Sequence, residues 1–207
     1  VYNDRGICKK ELEDYDGAIA DYDKAIELDP NDGRAYVERG SAKHHLKDYK
    51  GALEDSNKAI KIDPNDAYAY CLRGESKDDL EDFKGAIVDY TKAIEIDPDH
   101  FNAHVQRAYT RNHLKDYTGA IADYDKVLEI EPEYKEAYID RAAAKVSLEL
   151  DNNDTGFEKA MGAEQSDAVE TDTNDAEAKE GKNTRVDAQK VPALRAFFSK
   201  VYACQMT

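Results

Sequence analysis

The chain has 207 residues, 45 acidic against 29 basic, and a formal net charge of −16. That excess opposes sequence-independent affinity for phosphate backbones or anionic lipid, so neither nucleic acid nor a membrane surface is expected as a partner. No apolar run approaches the roughly 20 residues of a bilayer span, the N-terminus lacks a signal-peptide layout, and Cys8, Cys71 and Cys204 form no C-x-x-C pair, so a cytoplasmic protein with free, half-buried thiols is expected.

From the N-terminus onward one phrase recurs: "DYDGAIADYDKAIELDP" from Asp14, "DYKGALEDSNKAIKIDP" from Asp48, "DFKGAIVDYTKAIEIDP" from Asp82 and "DYTGAIADYDKVLEIEP" from Asp116. Its glycines, Gly17, Gly51, Gly85 and Gly119, lie 34 residues apart. A fixed period of this size signals stacked supersecondary units. If each closing proline (Pro30, Pro64, Pro98, Pro132) is position 32, every unit reads as two helices. Tyr36, Gly40 and Leu46 trace the first helical stripe of the second unit, and Ala52, Leu53, Ala59, Ile60 and Ile62 trace its second.

The boundaries are also written in the sequence. Asp14, Asp48, Asp82 and Asp116 are expected N-caps. Asp29, Asp63, Asp97 and Glu131 each precede a proline that must end the second helix. Small residues (Gly6, Gly40, Gly74, Ala108; Ala18, Ala52, Ala86, Ala120) alternate with large ones (Tyr15, Tyr49, Phe83, Tyr117; Tyr22, Tyr90, Tyr124), as interlocking helices require. Position 7 is always arginine (Arg5, Arg39, Arg73, Arg107, Arg141), and position 23 is aspartate in four units (Asp21, Asp55, Asp89, Asp123). Matched periodicity in both signs favours a structural ladder of bidentate pairs over a row of arginines offered to an acidic ligand.

The unit resembles the tetratricopeptide repeat, a 34-residue helix–turn–helix with small residues at positions 8, 20 and 27, an aromatic at 24 and proline at 32. Units fall at about 1–32, 33–66, 67–100 and 101–134, and residues 135–150 read as the first helix of a fifth, with Tyr138, Ala142 and Leu148 in register. Ser56 replaces the aromatic at position 24 and Val127 the alanine at position 27, so looser or shifted contacts are expected there. The resemblance implies an all-α, right-handed superhelical solenoid whose concave groove takes a peptide of a partner protein. Its inner wall would come from positions 2, 5, 6, 9, 12 and 13 of the first helices. The candidate binding residues are Val37, Glu38, Ser41 and His45; Tyr68, Cys71, Leu72, Glu75 and Asp79; Asn102, Gln106, Tyr109, Asn112 and His113.

Family members that hold acidic chaperone tails resemble one another in a clamp of lysines, arginine and asparagines at positions 2, 5, 6 and 9. Here those places hold Asn3, Ile7, Glu38, Tyr68 and Leu72 in one window, and Val37, Ser41, Leu72, Asn102 and Gln106 in the next. An acidic tail would instead meet Glu38, Glu75, Asp78 and Asp79, so the expected ligand is a neutral-to-basic segment with apolar anchors.

No catalytic constellation, metal site or cofactor loop is expected. "DNNDTG" at 151–156 begins like a calcium loop, but its twelfth position is Gly162 rather than a bidentate carboxylate. His104 holds a packing position, and the adjacent His44 and His45 diverge around a helix. After Leu150 the period fails. Residues 151–185 read as an acidic flexible linker with room for a short helix near Phe157 to Met161, and 186–207 as an amphipathic C-terminal helix with Leu194, Phe197, Phe198, Val201 and Tyr202 on one face. That helix has three competing roles: closing the array, occupying the groove through residues 192–204, or opening a further domain. The chain thus reads as a non-catalytic scaffold or adaptor, with a regulatory arm of a larger enzyme or a self-associating structural protein as alternatives.

Overall fold

The computed structural model describes residues 1–167, with side chains described for residues 1–153. Among the described residues there are nine α-helices and no strand: α1 (Tyr2–Glu11), α2 (Tyr15–Leu28), α3 (Gly33–His45), α4 (Tyr49–Ile62), α5 (Ala67–Asp79), α6 (Phe83–Ile96), α7 (Phe101–His113), α8 (Tyr117–Ile130) and α9 (Lys135–Asp167).

Each hairpin turn is built the same way. At the end of α1 the Glu13 amide donates to Lys10 O and the Asp14 amide to Lys9 O, both at 2.9 Å, which is the double closure of a Schellman motif. Glu13, Lys47, Glu81 and Lys115 adopt the required left-handed conformation, with φ of 60° to 64°. The following aspartate then caps the second helix: Asp14, Asp48, Asp82 and Asp116 each accept from the glycine amide three residues on, at 3.0 Å. Asp32 and Asp66 cap α3 and α5 in the same manner, and His100 Nδ1 takes that role for α7, accepting from the Ala103 amide at 3.2 Å. The prolines follow C-caps at Asp29, Asp63, Asp97 and Glu131.

Each of α1 to α8 packs on its neighbours in that series, and the first helices α1, α3, α5 and α7 also touch one another in succession. This is a helical solenoid, with first helices forming one continuous wall. The core is a run of small clusters rather than one centre. Ala18, Tyr22 and Ala42 form one, Ala67, Cys71, Ala86, Tyr90, Ala93 and Ala103 a second, and Val105, Ala108, Ala120, Tyr124 and Val127 belong to a third.

The α-hairpin period predicts a helix end at Leu150 and a flexible linker from residue 151. The structure differs: α9 continues without interruption to Asp167. At the register where every other unit places the capping aspartate stands Leu150, which has no side-chain acceptor, so nothing starts a new helix there. Residues 168–185 of the expected linker and the expected C-terminal helix at 186–207, with its 192–204 contact, lie outside the described residues.

Candidate functional site

The arginines at position 7 are occupied. Arg39 Nε and Nη2 donate to Asp55 at 2.9 and 2.5 Å, Arg73 to Asp89 at 2.9 and 2.6 Å, and Arg107 to Asp123 at 3.0 and 2.6 Å; Arg5 grips Asp21 in the same two-bond way. A second cation at position 11 joins each carboxylate: Lys9, Lys43, Lys77 and Arg111, at 2.7 to 2.9 Å. The remaining Nη1 reaches back to position 25 of the preceding unit, from Arg39 to Asp23, Arg73 to Asn57, Arg107 to Thr91 and Arg141 to Asp125. One guanidinium therefore ties its own hairpin together and stacks it on the previous one. The hydrogen bond from Arg5 holds the Asp21 carboxyl far below the usual range. Burial pushes Asp123 up, but hydrogen bonds from His104 and Arg107 outweigh it and leave this group low as well. The ladder is structural, which frees the wall of first helices for another task.

On that wall, between α3, α5 and α7, lies a cleft of about 460 Å³. Seven of the predicted residues line it: Ser41, His45, Leu72, Glu75, Asp79, Asn102 and Gln106. His44 and Asp78 join them from the same register, and Tyr90 of α6 closes the floor. Tyr90 was legible only as a gap-filler, although its phenol end is polar and stands below two acidic positions.

The other predicted residues are placed differently. Cys71 is 4% exposed and belongs to the core, not the groove surface, because position 5 faces the second helix of its own unit. Leu72 reaches across to Gly40 and fills the space where a tyrosine ring packs on Gly6 and Gly74. It thereby covers the gap left by Ser56, whose hydroxyl turns back to Leu53 O at 3.0 Å. Of the looser or shifted contacts expected at this junction, the shifted kind is found: it is refilled from the next unit. Glu38 is paired with Lys10 at 2.6 Å, and Tyr109 donates to Asp140 at 2.8 Å. His45 stacks on Tyr15 and His113 meets Phe83 edge-on, at ring distances of 4.8 and 4.4 Å. Val37 and Asn112 are half-buried, while Tyr68 is 66% exposed. Of the thiols, Cys8 is exposed and Cys71 buried, both free; Cys204 lies outside the described residues. Among the described residues no group of three or more His, Cys, Asp or Glu side chains could hold a metal ion, and no helix is long and apolar enough to cross a membrane.

Models of the tetratricopeptide repeat match residues 1–32 and 67–100 in one case and 21–54 and 89–122 in another, and a TPR repeat model matches 40–77. The matches overlap without a break from residue 1 to residue 122. The chain belongs to the tetratricopeptide repeat family.

Solved structures with a similar fold are found as well. That of MamA protein is 25% identical, with a TM-score of 0.64 over 84% of this chain and 96% of the other. MamA 41-end from Desulfovibrio magneticus RS-1 is 29% identical, with a TM-score of 0.57 over 64% and 75%. The first TPR of Spaghetti (RPAP3), solved bound to the HSP90 peptide SRMEEVD, is 27% identical, with a TM-score of 0.53 over 55% and 90%. No curated protein matches the chain. The role that comes with the TPR family is binding of protein or peptide segments through the concave groove.

The electrostatics of this TPR groove are one-sided. Among the described residues its cleft is lined by three carboxylates and two histidines, with no lysine or arginine. Burial raises the Glu75 carboxyl, and the nearby His44 and Cys71 offset this only in part. Burial likewise raises Asp78, against the hydrogen bond it accepts from Thr110 at 3.0 Å. Asp79 is exposed and faces His44 Nε2 at 2.8 Å.

Proposed function

We propose that this TPR protein is a non-catalytic cytoplasmic scaffold or adaptor that holds a neutral-to-basic peptide segment in its groove. The observation that carries the reading is the cleft of Glu75, Asp78 and Asp79, which no lysine or arginine lines among the described residues, while Arg73 and Arg107 are bound into the stacking ladder. The Spaghetti TPR was solved with a peptide whose last four residues, EEVD, include three acids; the cleft here carries acids of its own, and like charges brought together disfavour such a ligand. Exposed Tyr68 and Tyr109 on the same first helices, α5 and α7, offer apolar contact, which suits a segment with an aromatic or aliphatic anchor.

The test is fluorescence anisotropy of the full chain with peptides that share apolar anchors and differ only in being acidic, neutral or basic. Basic and neutral peptides should bind more tightly than acidic ones, more so at low salt, and Asp79→Lys should narrow or invert the order. Preference for the acidic peptide by the unmodified chain would sink the proposal.

A further inference from the structure

The position-24 tyrosines allow the same spot to be compared in two units. Tyr22 in the first unit and Tyr90 in the third are both 0% exposed, and neither hydroxyl has a hydrogen-bond partner. Near Tyr22, position 12 of its own unit and position 6 of the next are Lys10 and Glu38, which meet at 2.6 Å. There the chain supplies both charges itself. Near Tyr90 the same two positions are Asp78 and Gln106, and position 9 adds Glu75 where the first unit has Ile7. The third unit therefore puts a carboxylate where the first puts an ammonium. A fully buried hydroxyl, the carboxylates of Glu75 and Asp78 and the open space of the cleft coincide, and among the described residues no lysine or arginine lines it.

We infer that this spot is a socket for one cationic side chain, lysine or arginine, of a bound peptide, with Glu75 and Asp78 as its counter-charges and the Tyr90 hydroxyl as a neutral acceptor. Buried polar groups in finished proteins are nearly always paired; ionised carboxylates only accept, so what completes Glu75 and Asp78 must be a donor, while the Tyr90 hydroxyl can accept or donate. Ammonium and guanidinium groups are donors only, and their bonds to carboxylates are the stronger, charge-assisted kind. The carboxylates are already oriented: Thr110 donates to Asp78 at 3.0 Å and the Cys71 thiol to Glu75 at 3.7 Å, each leaving a second oxygen on the acceptor. Burial makes both charges costly in the empty groove, a cost that an incoming cation removes. The inference rests on the groove reading of the preceding section and narrows it to one side chain in one place.

The probe is an array of short peptides with random flanking residues and a fixed central lysine, beside matching arrays with arginine, norleucine or acetyl-lysine at the centre. All are measured against the full chain and its Tyr90→Phe, Asp78→Asn and Asp79→Lys variants. Tyr90→Phe keeps the ring against Gly74 and removes only the hydroxyl, and Asp78→Asn keeps the shape, so circular dichroism should show both folded. The lysine and arginine arrays should bind about tenfold to a hundredfold more tightly than the norleucine and acetyl-lysine arrays. Asp78→Asn and Tyr90→Phe should each shrink that ratio while leaving norleucine binding unchanged. Equal binding of lysine and norleucine, with basic flanks still preferred and Asp79→Lys still weakening them, overturns the socket and leaves the groove reading standing. If no array responds to Asp79→Lys, the groove reading falls and takes the socket with it.

Discussion

At Gly74 an added Cβ would lie 2.6 Å from the Tyr90 ring, whereas at Gly33 it would lie 3.4 Å from Ile62. The first is a forced overlap with a fully buried ring and the second is close to ordinary contact. Gly74→Ala should therefore destabilise the array by about 1–3 kcal/mol through overpacking. Gly33→Ala should be near neutral, because alanine's better helix propensity offsets the tightness; paired urea melts check the contrast. A second residue-scale outcome concerns acid. Asp21 and Asp123 have folded values below their ordinary range, so each contributes stability that is complete above the ordinary aspartate value of about 3.9 and is lost as the pH falls from there through the depressed folded value. Wild-type protein should lose more stability than Asp21→Asn between neutral pH and about pH 3, because the variant has already lost one of the groups that titrate.

At the scale of the element, the hairpin turn combines two signals that no single residue carries. A left-handed residue closes the Schellman motif, and the aspartate after it opens the next helix. Nature's usual choice for the left-handed place is glycine, yet all four turns use glutamate or lysine, at a strain of roughly 1–2 kcal/mol each. Glu81→Gly should raise stability by about 1 kcal/mol in urea titrations; a loss would mean that the Glu81 side chain makes a contribution larger than its backbone strain. The turn also explains α9. With Leu150 in the aspartate's place the second signal is missing, and the helix runs on to Asp167.

For the whole molecule, the arrangement separates two jobs. The ladder of arginines and aspartates holds hairpins together on the side of the second helices, and the wall of first helices is left acidic. Affinity for a basic peptide should fall as the medium becomes acidic. Glu75 and Asp78 on α5 have raised values, so they begin to take up protons above the ordinary carboxylate range, and each proton removes a charge that holds the ligand. The other titratable groups at the cleft and beside it, His44 and His45 on α3, Cys71 and Asp79 on α5, Tyr90 on α6 and His113 on α7, act in the same direction or not at all, since any proton gained there also makes the groove less negative. Anisotropy titrations of one basic peptide across pH 7 to 4 measure this, and affinity that is flat or rising toward acid contradicts the role given to Glu75 and Asp78.

The 34-residue period, the caps at Asp14, Asp48, Asp82 and Asp116, the proline stops and the pairing of position 7 with position 23 were all readable from the chain alone. Each depends on groups a few residues apart or on a repeat that shows the same contact several times, so local hydrogen bonding and helical spacing determine them. The wall of first helices was legible for the same reason. Its finer surface was not: Cys71 turned into the core, Leu72 refilled the gap at Ser56, and Tyr90 came to lie under Glu75 and Asp78 only when α3, α5, α6 and α7 were packed. Residues at the edge of a helical stripe can face either way, and the choice belongs to the volume of the neighbouring unit's side chains, which spacing along one chain does not encode.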